Sequence, residues 1–157
     1  MPIPVDLDIP IVENLSIEID GIADEEAWEN AILIDDFTTF RPNPGLTPSQ
    51  TTMARIVSTK DALYLHFKAN DSRPEAIYRS YGRRDSRKSD DYIGVLVDVL
   101  GSGERGALFI VNPLGVQLDG TLVRGKDSDL VPWGGSWSSW DTRWSSAGRQ
   151  TQSGYEV

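Results

Sequence analysis

Short runs in which apolar and polar residues alternate, separated by turn residues, constrain the fold of this chain more than any other feature. In residues 62–70 the apolar side chains Leu63, Leu65 and Phe67 fall on one face of an extended strand, and Tyr64 falls on the other. Residues 51–59 form a run of similar length just before it, and only two turn residues lie between the runs. The pattern therefore predicts a β-hairpin.

Similar runs recur along the chain, and glycine and proline often stand where they stop. The sequence contains 14 Gly and 9 Pro, which favours a turn-rich β protein over a helix bundle. One short helix is expected after Asp24, and a helical turn is expected within 74–81. The sequence thus predicts an all-β fold, a β-sandwich of mainly antiparallel strands with one or two short helices. The further predicted strands are 15–19, 32–40, 92–100, 107–111, 116–123 and 154–157. Of these, 107–111 and 116–123 are predicted to form a second hairpin, joined by Asn112-Pro-Leu-Gly115.

The length of 157 residues suits a single domain. The last predicted strand, 154–157, stops after four residues. We therefore expect residues 1–157 to form one domain that is a fragment of a longer chain, truncated at its C-terminal strands.

Cysteine is absent and histidine occurs once, which excludes several kinds of chemistry. Without cysteine there can be no disulfide, no Cys-ligated zinc and no thiol catalysis. A Ser-His-Asp triad or a multi-histidine metal site would depend on His66 alone. The zinc-protease, nucleophile-elbow and P-loop motifs are also missing. The chain is therefore predicted not to be an enzyme.

The charge is negative overall and unevenly distributed. The formal net charge is −9, and residues 1–36 contain eleven acidic residues and no Lys or Arg. Neither nucleic acid nor an anionic membrane surface would attract such a chain. No run of about 18 apolar residues occurs, so no membrane-spanning helix is predicted. The first ten residues also lack the basic and apolar regions of a signal peptide.

The order of several short motifs resembles a known family. Ile19-Asp20-Gly21 is followed by Asp24-Glu25-Glu26-Ala27-Trp28, then by Asn70-Asp71-Ser72-Arg73-Pro74, Asp90-Asp91-Tyr92, 109–119 and Trp140-Asp141. In this order the chain resembles a family 9 carbohydrate-binding module, in the version at the N-terminus of large bacterial exported proteins. The resemblance covers about residues 17–157.

The resemblance implies a β-sandwich that binds saccharides, often binds calcium and is often attached to a glycoside hydrolase. It also implies an exported protein, whether periplasmic, outer-membrane-associated or extracellular. Two positions that contact sugar in family members, a tryptophan and an acid, correspond here to Lys88 and Gly94.

Three groups of residues are candidate ligand contacts. The first comprises Trp133, Trp137 and Trp140, which stand among glycines and serines. Sugars stack their apolar faces on aromatic rings, so these residues could form a stacking platform. The alternative is that these rings cover the core beneath a long loop.

The second group contains Arg84 and Asp85, within a charged connection that also holds Asp90 and Asp91. Guanidinium and carboxylate groups suit sugar hydroxyls or an acidic sugar. The same residues could instead form a solvated ion-pair loop or fix that loop on the sheet.

The third group is Asn112, Gln117 and Asp119. Amide side chains both donate and accept hydrogen bonds, which suits hydroxyl groups. Equally, Asn112 could form an Asx turn while Gln117 lies on an ordinary solvent face.

Aspartates at turns are the only candidates for the calcium that the resemblance implies, and none has the spacing of an EF-hand. They could equally be ordinary turn residues. We assign no ligand among them: Asp20, Asp24, Asp71, Asp90, Asp91, Asp127 and Asp129.

The leading functional hypothesis is a non-catalytic carbohydrate-binding module that holds a saccharide. The alternative is a structural or interaction domain that packs on other domains of the same polypeptide and has no sugar affinity. This alternative predicts an exposed apolar patch or an open sheet edge near residues 150–157. A glycoside hydrolase is a third, weaker hypothesis, since two carboxylates across a cleft cannot be placed from sequence.

Overall fold

A computed structural model describes residues 8–13, 16–86, 89–123 and 140–157 of the chain. These residues form two antiparallel sheets and almost no helix, which confirms the all-β prediction. The arrangement is compatible with a sandwich. Within the described ranges, no helix has the length and apolar character needed to cross a membrane.

The first sheet has five strands: β1 (Ile32–Ile34), β2 (Thr52–Ser58), β3 (Leu63–Asn70), β7 (Arg149–Thr151) and β8 (Gly154–Glu156). Their order in the sheet is β1-β2-β3-β8-β7. Each neighbouring pair is antiparallel.

The second sheet has three strands, β4 (Ile93–Val97), β5 (Arg105–Val111) and β6 (Gln117–Val123). It is an antiparallel meander in which β5 is central. The turn between β5 and β6 includes Gly115, whose φ of 80° is a left-handed conformation that glycine adopts without strain.

Both predicted hairpins are confirmed. In β2–β3 the register places Ile56 opposite Leu65 and Ala54 opposite Phe67, as the alternation requires. The connection is tight, because the Thr59 N–H donates to the Ala62 carbonyl at 2.8 Å. In β5–β6 Phe109 lies opposite Asp119, which fixes the position of the candidate site described below.

The N-terminal third differs most from the prediction. Residues 16–19 are not a strand. The predicted strand 32–40 is only β1, so the prediction was wrong for residues 35–40. The side chain and backbone of Thr39 instead close a loop with Leu46 and Gly45. The proline-rich segment that follows residue 40 lacks the N–H groups that a continuing strand would need. The short strand β7 was not predicted.

The predicted helix after Asp24 is a 3₁₀-helix, Glu26–Asn30, and Glu25 rather than Asp24 is its N-cap residue. The Glu25 carboxylate accepts the Trp28 indole N–H at 2.9 Å and the Glu18 backbone N–H at 2.6 Å. Trp28 is thereby fixed in a buried cluster with Val57. A second 3₁₀-helix, Pro74–Ala76, lies within the predicted helical turn 74–81.

Buried apolar residues form two clusters, one for each sheet. Val12, Ala27, Trp28 and Val57 pack on the first sheet. Leu108, Ile110 and Leu118 pack on one face of the second sheet. The opposite face of that sheet presents the partly buried Phe109 and the polar side chains of β6.

Candidate functional site

Four of the predicted contact residues come together on the second sheet: Arg84, Asp85, Gln117 and Asp119. One further carboxylate joins them, that of Asp141 in the segment after residue 139. We call these five residues the Arg84 cluster.

Strand alternation and one loop conformation place the cluster. Gln117 and Asp119 are two residues apart on β6, so both side chains lie on the face that also carries Phe109. The loop before β4 reaches them because the Asp85 N–H donates to the Gln117 carbonyl at 2.9 Å. Asp85 has a φ of 61°, which is uncommon for a residue with a side chain and is more readily adopted by Asp than by most.

The Arg84 guanidinium is the centre of the cluster. It donates from Nη1 to Gln117 Oε1 at 2.9 Å and from Nη2 to Asp119 Oδ2 at 2.7 Å. Nη2 also donates to the Thr142 carbonyl and lies 3.0 Å from Asp141 Oδ1. Hydrogen bonding to Asp119 is the main reason that the pKa of Arg84 is raised above its ordinary value. The guanidinium is thus charged and fixed in orientation.

The cluster has a buried base and an exposed rim. The Asp119 side chain is fully buried, whereas those of Asp141 and Asp85 are 72% and 47% exposed. Arg84 lies between them with 31% of its side chain exposed. One guanidinium therefore faces three carboxylates, which leaves a local excess of negative charge at the rim.

Two buried atoms of the cluster have no hydrogen-bond partner among the described residues, Arg84 Nε and Asp119 Oδ1. Arg84 Nε lies 3.7 Å from Asp85 Oδ2, too far for a hydrogen bond. The cluster thus has hydrogen-bonding capacity that these residues do not fill.

Aromatic rings flank the cluster. The Trp140 and Trp144 rings each pack edge-on against Phe109, with centroid separations of 5.8 and 5.4 Å. The Trp144 carbonyl accepts a hydrogen bond from Gln117 Nε2 at 2.9 Å. Trp140 is half-buried and precedes Asp141 directly. The other two predicted platform residues, Trp133 and Trp137, lie outside the described residues.

The structure places Asn112 in a different setting, the turn between β5 and β6. Its side chain is buried, and its Nδ2 donates to the Ser80 carbonyl and to Asp90 Oδ2, both at 2.9 Å. Its Oδ1 accepts the N–H groups of Leu114 and Val116 at 3.0 and 2.9 Å. All the hydrogen-bonding capacity of this amide is used, so Asn112 holds the turn and does not reach the Arg84 cluster.

Four of the aspartates considered for calcium accept hydrogen bonds from the protein itself, and two others, Asp127 and Asp129, lie outside the described residues. Asp20 and Asp71 each accept a backbone N–H two residues later. Asp90 accepts Ser80 Oγ and Asn112 Nδ2, and Asp91 accepts the Tyr78 N–H. In the ranges that the structure describes, no three acidic or histidine side chains group as a metal site. Calcium therefore stays a prediction of the resemblance, and the proposals below do not use it.

Sequence reasoning did not place Asp141 or the Thr142 carbonyl in the site. The only local signal was a carboxylate next to a candidate stacking residue, Trp140. The contact between Arg84 and Thr142 joins residues 58 positions apart, which no local pattern encodes. Comparisons with family models, with curated proteins and with solved structures found no match to this chain.

Proposed function

We propose that this domain is a non-catalytic carbohydrate-binding module and that it binds a saccharide at the exposed rim of the Arg84 cluster. The observation that supports this most is a charged, oriented guanidinium beside two exposed carboxylates, with the Trp140 ring packed on Phe109, the residue opposite Asp119.

The chemistry of the rim matches that of a sugar ring. Each sugar hydroxyl can donate one hydrogen bond and accept others. The carboxylates of Asp141 and Asp85 would accept from hydroxyl groups, and the exposed part of Arg84 would donate to them. The apolar face of the sugar would stack on Trp140, and Trp133 and Trp137 remain predicted contributors to the same platform.

The charges favour a neutral sugar over an acidic one. Three carboxylates surround one guanidinium, and Arg84 already donates to Asp119 and Gln117. A carboxylate or sulfate on the ligand would meet net negative charge and few free donors. A neutral oligosaccharide has no such penalty.

The test is a titration of the folded protein with neutral and uronic-acid oligosaccharides, followed by tryptophan fluorescence and calorimetry. We expect saturable binding of a neutral glycan and weaker or no binding of acidic ones. Trp140→Ala should weaken binding about tenfold, because one stacking contact contributes up to about 1.5 kcal/mol. Tyr78→Ala is the matched control, since its ring is exposed on the loop near Asp91 and it should bind like the parent protein.

Lack of response to any glycan at millimolar concentration, from a protein that still melts cooperatively, would refute the proposal. Equal binding by the Trp140 and Tyr78 variants would place the sugar elsewhere. The exported location that the resemblance implies is part of the same proposal and would be checked by cell fractionation.

A further inference from the structure

An extended segment lies beside β6 next to the Arg84 cluster. It is residues 140–146, which we call the strap. None of the backbone-to-backbone hydrogen bonds among the described residues joins the strap to β6. Exposure alternates along it, since Asp141 and Arg143 are exposed whereas Thr142 and Trp144 are half-buried. The strap is thus extended like a strand but is not held by a β ladder.

Side chains of β6 hold the strap instead. Asp119 Oδ2 accepts the Thr142 N–H at 3.0 Å, and Gln117 Nε2 donates to the Trp144 carbonyl at 2.9 Å. The two contacts are two residues apart on both segments, and the numbers fall on β6 as they rise on the strap. The strap and β6 therefore run in opposite directions.

The same two side chains of β6 also hold the guanidinium. Gln117 Oε1 accepts from Arg84 Nη1 at 2.9 Å, and Asp119 Oδ2 accepts from Arg84 Nη2 at 2.7 Å. A guanidinium can only donate and a carbonyl can only accept, so the Gln117 amide has one orientation, with its oxygen on Arg84 and its nitrogen on Trp144. Gln117 is therefore a bridge between Arg84 and the strap.

We infer that Gln117 is a positioning residue of the sugar site: its amide fixes the strap relative to Arg84, and the strap brings Trp140 and Asp141 to the rim. Gln117 acts through these residues and does not itself contact the sugar. This role differs from the direct contact with hydroxyl groups that the sequence suggests. The position of the strap is argued from the contacts alone, whereas its consequence for affinity rests on the proposed sugar binding.

Two substitutions of Gln117 separate its two bonds. Glutamate has the same shape and would still accept from Arg84, but its second oxygen would face the Trp144 carbonyl, which is also an acceptor. Gln117→Glu therefore loses the bond to the strap and keeps the bond to Arg84. Gln117→Met has a side chain of similar length and loses the bond to the strap without adding a charge.

The first test needs no ligand. Nuclear Overhauser contacts in the 157-residue protein report how close the Trp140 and Trp144 rings are to Phe109, where the centroid separations are 5.8 and 5.4 Å. We expect both contacts to weaken in Gln117→Glu and in Gln117→Met, because the strap loses the bond that fixes its middle.

Two controls accompany this measurement. The Trp28 and His66 rings, in the other sheet, have a centroid separation of 5.8 Å, and their contact should persist in every folded variant. Gln150→Glu is the matched substitution, because the Gln150 amide also donates to a backbone carbonyl, that of Pro74, but lies outside the strap. It should leave the contacts of the strap unchanged.

The second test measures the affinity for the neutral oligosaccharide found in the titration above. Gln117→Glu and Gln117→Met should each weaken binding about fivefold, the effect of one lost hydrogen bond, and Gln150→Glu should not. In a Trp140→Ala background most of this loss should disappear, because Gln117 acts through the strap that carries Trp140.

Unchanged ring contacts in both Gln117 variants would overturn the inference, whatever the result with sugar. An undiminished effect of Gln117→Glu in the Trp140→Ala background would mean that Gln117 contacts the sugar directly, which also contradicts it. Weakened ring contacts in a protein that binds no glycan would support the role of Gln117 in placing the strap and refute only the proposed sugar binding. If Gln117→Glu does not fold, Gln117→Met decides.

Discussion

The Asn112 turn and the Arg84 cluster are both polar regions on the second sheet, yet they use their hydrogen bonds differently. The Asn112 amide is 1% exposed and engages four partners, two as donor and two as acceptor. The Arg84 cluster has a buried base, an exposed rim and two buried atoms without partners among the described residues.

This difference separates a structural role, that of the Asn112 turn, from a ligand-binding role, that proposed for the Arg84 cluster. A buried polar group with every partner in place stabilises a unique turn and has nothing left to offer a ligand. A charged group held on one side and open on the other is suited to contact a ligand. Sequence alone gave Asn112 and Arg84 the same candidate role, because both are polar residues near turns.

The largest expected loss of stability is at Asn112, whose side-chain amide makes all the hydrogen bonds that it can. Asn112→Ala removes four hydrogen bonds and leaves buried backbone and carboxylate partners unsatisfied. We expect the free energy of unfolding to fall by about 3 kcal/mol. Urea denaturation measures this. Gln150→Ala is the control, because the Gln150 amide makes a single exposed bond to the Pro74 carbonyl and should cost less than about 0.5 kcal/mol.

An equal, small loss in both amide variants would mean that the Asn112 network contributes little and that the comparison fails. Sugar binding, if present, should persist in Asn112→Ala as long as the protein is folded.

A smaller effect is expected at the buried base of the Arg84 cluster. Asp119→Asn keeps the shape but removes the charge that faces Arg84, while Asp141 and Asp85 remain close to the guanidinium. We expect a loss of about 2 kcal/mol in the free energy of unfolding, typical of a hydrogen bond to a charged group. Thermal and urea unfolding at neutral pH check this.

Asp141→Asn is the matched control, on the same guanidinium but at the exposed rim. Exposed ion pairs contribute little, so it should change stability by less than about 0.5 kcal/mol while weakening the proposed sugar binding. Comparable destabilisation by both substitutions would remove the distinction between base and rim.

The smallest expected change in the free energy of unfolding concerns the buried side chain of His66. Its Nε2 lies 3.6 Å from Glu156 Oε2, and it has no hydrogen-bond partner among the described residues. Burial lowers its pKa below 6.5; Glu156 opposes this shift, and Arg55 and Arg149 add to it. The unfolded chain therefore binds the proton more readily than the folded protein does.

The contribution of His66 to stability is fully present above about pH 6.5 and is lost as the pH falls towards and below the lowered pKa. His66→Gln should flatten this dependence between about pH 7 and pH 5, because the chain has no other histidine. The free energy of unfolding from urea titrations at several pH values tests this. Stability of the parent protein that is unchanged or rises on acidification through this window would contradict the lowered pKa.

The hairpins could be predicted because their signal is local. In β2–β3 and in β5–β6, alternation and turn residues lie within about twenty residues of one another, and both pairs form as expected. Residues 35–40 have strand-like composition but no paired neighbour. A strand needs a partner for its N–H and C=O groups, and composition alone does not supply one.

The candidate site could be predicted only in part. Arg84, Asp85 and Gln117 do come together, but through contacts spanning more than thirty residues that no sequence window contains. Trp140 lies beside them, whereas Asn112 faces its own turn. Only the register of β5 and β6 decides which polar side chains of β6 share a face with Phe109.

By itself, the sequence determined the all-β class, the two hairpins and the exclusion of cysteine chemistry, because period-two alternation, turn residues and composition are properties of the chain alone. The tertiary structure decided that Asp119 is buried beneath Arg84 and that Asp141 is at the rim. These features depend on which strands become neighbours, and that is settled by long-range packing and hydrogen bonding.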